Sequence, residues 1–122
     1  MASEDEILEF AGASFRSIWA LELLFKMRNG GDRTWRSSEI IKDLRSSPVV
    51  VTEALDNLIA AGLVVEEDRG SYRYHSGSPA VEELLGELEK LYSVKPTQVI
   101  RKIINSPNTK LQILSDAFRL KE

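Results

Sequence analysis

Apolar side chains recur along this chain at two different periods, and the switch between them separates helices from a short hairpin. Phe15, Ile18, Trp19, Leu21, Leu23, Leu24, Phe25 and Met27 surround almost the whole cylinder of a helix that Ser14 can cap and that stops at Asn29-Gly30-Gly31. A helix this apolar must be covered on more than one side, either as a central core helix or at a subunit interface. After the glycines, Thr34 and Trp35 fit a very short strand. Ser37 is placed to cap a helix through Leu44, with Glu39 in its first turn and Ile40, Ile41 and Leu44 on its buried face. A break at Arg45-Ser46 leads to a new start signal, Ser47 as cap and Pro48 at the first helical position. The helix so begun runs to Ala61, buries Val51, Leu55, Leu58 and Ile59, and ends at Gly62. The period then falls to two. Residues 63–67 and 72–75 read as strands joined by the turn Asp68-Arg69-Gly70-Ser71, in which glycine supplies a positive φ.

Further helices flank this middle section. Ser3 followed by Glu6 is a capping-box pattern, which predicts a short helix from about Glu4 that loosens at Gly12. Ser78-Pro79 opens a helix with Val81, Leu84, Leu85, Leu88, Leu91 and Tyr92 on one stripe. Pro96 and Pro107 each follow a break and begin two more, the first carrying Val99, Ile100, Ile103 and Ile104, the second Leu111, Ile113, Leu114, Ala117, Phe118 and Leu120. No repeat or linker interrupts the pattern, so residues 1–122 are expected to form one domain, with residues 14–77 as its centre and residues 78–122 as a helical extension.

Composition narrows the chemistry. Apolar residues make up 43% and charged residues 29%, an ordinary globular balance. The longest apolar stretch, residues 18–25, is interrupted by Glu22 and is far below the ~20 residues that span a bilayer, so no membrane partner is expected. The N-terminus is acidic where a signal peptide is basic, which points to the cytoplasm. With no cysteine and His75 as the single histidine, disulfides, zinc fingers and thiolate sensors are excluded, and no metal or cofactor is expected. The net charge of −3 is unevenly spread: residues 78–93 are acidic and residues 94–122 basic. Gly30-Gly31 lacks the spacing and lysine of a phosphate loop, and no histidine–carboxylate–nucleophile set exists, so an enzyme is not expected.

The order helix, short strand, helix, tight turn, helix, hairpin over residues 34–75 resembles the winged helix-turn-helix of bacterial transcription regulators of the MarR and PadR type. Its most specific piece is Val51, Leu55, Leu58 and Ala61-Gly62-Leu63-Val64, which looks like a recognition helix turning into the first strand of a wing. The resemblance implies a mainly α fold with a small β-hairpin and flanking N- and C-terminal helices. It also implies sequence-specific binding of double-stranded DNA by a homodimer. Residues 14–28 and 81–92 would then supply the dimer surface, with Trp19, Leu84, Leu88 and Leu91 as its anchors.

A helix-turn-helix presents the exposed side of its second helix to the major groove. By the resemblance that side holds Val49, Val50, Thr52, Glu53, Asp56 and Asn57, with Ser47 at the cap and with Arg33, Arg36, Arg69 and Arg73 on phosphates. Lys42 and Arg45 stand nearby. The helix face carries no lysine or arginine, although Glu53 can accept from cytosine N4, the valines can meet thymine methyls and Asn57 can pair with adenine. The acidic residues and the Val49-Val50 pair equally suit a protein partner, so a winged-helix interaction module without DNA binding is the alternative. Tyr72 and Tyr74 share one face of their strand and are expected to cover the core rather than stack on bases.

Overall fold

A computed structural model describes residues 2–107. The helix expected after Pro107, residues 111–120, lies outside the described residues. Six helices and three strands follow in the order α1 (Glu4–Ser14), α2 (Ile18–Asn29), β1 (Thr34–Arg36), α3 (Ser37–Leu44), α4 (Pro48–Ala60), β2 (Val64–Glu66), β3 (Ser71–Tyr74), α5 (Pro79–Val94) and α6 (Pro96–Ile104). The described chain is therefore mainly helical with one small antiparallel sheet, an arrangement compatible with a winged helix. None of its helices is long and apolar enough to cross a membrane.

The start signals act as their chemistry dictates. Ser3, Ser47 and Ser78 each accept from the backbone N–H three residues on, at 3.2 Å, satisfying a donor that the helix itself leaves orphaned. Two expectations at the first helices fail for one reason. Gly12 does not loosen α1; it lies inside the helix, where a Cβ would stand 3.3 Å from Lys102 Cγ, so the missing side chain lets α1 lie close on α6. With α1 running on to Ser14, the cap of α2 passes to Ser17, which accepts from Ala20 N–H at 3.1 Å. Ser37 is not a cap either. β1 runs straight into α3, Arg36 holds the cap position, and its N–H donates to Glu39 Oε1 at 3.1 Å.

Helix α2 is the centre of the core. Ala20, Leu21, Leu23, Leu24, Phe25 and Met27 are all buried, and α4, β3 and α6 all pack on the helix. Its all-round apolar surface is thus covered within one protomer, and only Trp19, 45% exposed, remains outside among its large apolar side chains. Helix α5 packs on α1 and α6 and is tied to α2 by Arg28, whose Nε bonds Glu82 at 3.0 Å and Nη1 bonds Glu89 at 2.8 Å. Gly86 leaves the room for that guanidinium, since a Cβ there would lie 3.2 Å from Arg28 Nη2.

The expected two-stranded hairpin gains a third strand. The sheet order is β1-β3-β2, with Trp35 opposite Tyr72, Arg36 opposite Ser71 and Val65 opposite Arg73. Gly62 at φ 76° lets the chain leave α4 for β2, and Gly70 at φ 83° closes the turn into β3. Tyr72 and Tyr74 both pack partly buried against the core, as their shared face requires.

Candidate nucleic-acid interface

Helices α3 and α4 meet through a three-residue turn in which Arg45 adopts the left-handed conformation at φ 51°. Val51, Ala54, Leu55 and Leu58 bury one side of α4. On the opposite side Val49, Thr52 and Asp56 follow each other at steps of three and four and share one exposed stripe; Ile59, expected on the buried side, instead extends this stripe at 38% exposure, because Ala54, Leu55 and Leu58 turn the buried side away from it. Val49 is 64% exposed, and Val50 beside it is half-buried. Glu53 is half-buried at the edge of this face. No lysine or arginine lies on the helix.

Asn57 departs most from expectation. It is 3% exposed and faces the junction of α1 and α2, away from the stripe. Its Oδ1 accepts from Arg16 N–H and its Nδ2 donates to Ser14 O, both at 2.8 Å. The side chain therefore satisfies two backbone groups in the bend between those helices. It is not available to a base, because exposing it would orphan both groups.

The predicted phosphate-binding arginines divide into two sets. Arg73 is held in the wing by Asp32 at 3.2 Å and Glu67 at 2.7 Å, with its side chain still 41% exposed. Arg33 bonds Glu39 at 2.8 Å and lies 3.7 Å from the centroid of the buried Trp35 ring. Arg36, Arg45 and Arg69 are exposed and make no ion pair among the described residues. The fold brings Arg36 and Arg69 to the same end of the sheet. Arg36 pairs with Ser71, and Ser37 N–H donates to Gly70 O at 3.3 Å, so the start of α3 abuts the wing turn. Lys42 is exposed on α3, and Ser47, though its oxygen caps α4, keeps its hydroxyl hydrogen for another acceptor.

A polar network that the sequence does not announce anchors the wing at its base. The Tyr74 hydroxyl donates to Glu82, which Arg28 bridges to Glu89, and Glu89 in turn accepts from Asn29 Nδ2 at 2.5 Å. Burial, then the adjoining Glu82 carboxylate, pushes the Tyr74 phenol up to about 12. Tyr92, bonded to Glu22 at 2.6 Å, rises to about 12 for the same pair of causes. Tyr72 is raised by burial first and by Glu66 next.

The proposed dimer anchors are also redistributed. Leu88 is fully buried in the protomer core, because α5 turns its apolar stripe onto α1 and α6, so it is unavailable to a second copy. Leu84 and Leu91 are half-buried against the same core, while Trp19 stays exposed.

No family model, no curated protein and no solved structure matches this chain.

Proposed function

We propose that this chain is a DNA-binding transcription regulator of the winged helix-turn-helix type, with α4 in the major groove and Arg36, Arg45 and Arg69 on phosphates. The observation that carries the proposal is the placing of those three unengaged cations. Arg36 and Arg69 converge beside the wing turn through the β1–β3 pairing, and Arg45 stands at the far end of α3, roughly 12 Å along an eight-residue helix. Arg45 stands in the turn before α4, where Ser47 and Val49 begin the exposed stripe. Phosphate contacts of this kind fix the register of a helix that itself carries no cation. A homodimer would present two such helices to successive turns of the duplex, and Trp19 is the exposed apolar anchor left for it.

The acidic, cation-free stripe of α4 and the exposed Val49 favour a second reading, a module that binds a protein through this face. Fluorescence anisotropy against a pool of duplex DNA at low and moderate salt separates the two. The DNA proposal expects binding that weakens steeply with salt and is reduced by Arg36→Ala or Arg69→Ala. Absence of duplex binding at low salt, with capture of a basic peptide that Val49→Ser abolishes, would establish the second.

A further inference from the structure

On the premise of the DNA-binding function proposed above, we infer that α4 reads the pyrimidine edges of the major groove, with Val49 as the residue that recognises the C5-methyl group of thymine. The burial of Asn57 carries this. Purine edges present N7 and O6 acceptors, or N7 with the adenine N6 amine; the paired contacts that single them out come from arginine, lysine or a bidentate amide, whereas a Ser or Thr hydroxyl serves either kind of base. Helix α4 contains no arginine or lysine, and its one amide is consumed by Arg16 N–H and Ser14 O. The exposed stripe is left with Val49, Thr52 and Asp56.

Each of these suits a pyrimidine. A valine at 64% exposure offers two methyl groups to a thymine methyl, Thr52 offers one more, and a carboxylate at Asp56 accepts from the cytosine N4 amine. Val49 stands second in the helix, directly after Pro48, and residues near a recognition helix's N-terminus are those that meet base edges. The flanking Arg36, Arg45 and Arg69 supply the attraction that the stripe lacks, so binding strength and base choice reside in different side chains.

The test begins by selecting duplexes from a random pool and then replacing thymine by deoxyuridine in the selected site, which removes only the C5-methyl group. At the contacted position this replacement is expected to weaken the wild-type protein about fourfold, the worth of one buried methyl group. Val49→Ser, a change at an exposed position that removes both methyl groups, is expected to bind thymine and deoxyuridine duplexes alike, and Asp56→Asn to relax the choice of cytosine. Selected sites that bind tightly yet show equal affinity for thymine and deoxyuridine at every position would overturn the methyl recognition while leaving DNA binding in place. Binding that is salt-dependent but enriches no sequence would also overturn it. Failure to bind any duplex at low salt would remove the premise as well.

Discussion

Replacing Asn57 by alanine tests whether this residue belongs to the fold or to a DNA surface. The amide makes two 2.8 Å hydrogen bonds to backbone groups 41 and 43 residues away. Each contributes about 0.5–1.5 kcal/mol net, and a buried group left without a partner costs about 1–3 kcal/mol. Because both backbone groups are part-buried and water can reach them in some measure, the expected loss is about 2–4 kcal/mol. At roughly 4 °C per kcal/mol for a chain of this size, the melting temperature should fall by about 8–16 °C. The neighbouring Asp56→Asn, on the exposed stripe, should stay within about 0.5 kcal/mol of the wild type. Thermal and urea denaturation followed by circular dichroism reads both variants. Measured well below its melting point, Asn57→Ala should keep its affinity for duplex DNA within about twofold, whereas loss of a base contact would cost about 1–3 kcal/mol. An Asn57→Ala protein with unchanged stability and lost DNA preference would refute the reasoning.

Other side chains give equally direct outcomes. Arg73→Ala should leave the salt dependence of DNA binding unchanged, because Asp32 and Glu67 already hold that guanidinium; a slope reduced by about one would place it on a phosphate instead. Gly30→Ala should destabilise the protein by about 1–3 kcal/mol in urea titration, since its Cβ would stand 2.7 Å from Cζ2 of the buried Trp35 ring; an unchanged midpoint would contradict that packing. Burial and a neighbouring carboxylate push the Tyr74 and Tyr92 phenols up to about 12 from the ordinary 10.0, so between these values the native state keeps protons that the unfolded state loses. The stability they contribute is full below pH 10 and is lost as pH rises from 10 to 12, and Tyr74→Phe should flatten part of that decline; phenolate absorbance rising fully by pH 10.5 would contradict it.

The chain declares its elements more plainly than its contacts. Ser47-Pro48, Ser78-Pro79 and Pro96 mark helix starts that the structure reproduces, because capping and the lost proline N–H act within one turn. Periodicity also identifies the buried sides of α2 and α5 and most of that of α4, where Ile59 is the exception. It does not say which neighbour covers a face, and for that reason Leu88 read as a dimer anchor although α1 and α6 enclose it. Asn57 sits at the border between the buried and exposed sides of α4, where a turn of the helix by one residue decides its role, and its partners at Ser14 and Arg16 are far away in sequence. Gly12 carries the same ambiguity, since a glycine within a helix can mark a break or a close approach, and only Lys102 on α6 distinguishes them. Within the candidate interface, the exposed arginines were legible as a set. Their division into ion-paired and unengaged members depended on Glu39, one turn into α3, and on Asp32 and Glu67, which the folded sheet brings near Arg73.

The salt dependence of duplex binding, compared between the wild type and Arg36→Ala/Arg45→Ala/Arg69→Ala, tests the central claim most directly. Three lost phosphate contacts should reduce the slope of log K against log salt by about 2.7 per protomer, at about 0.9 per contact, while the fold remains intact by circular dichroism. An unchanged slope, or no binding by the wild type even at low salt, would contradict the assignment of this surface to DNA.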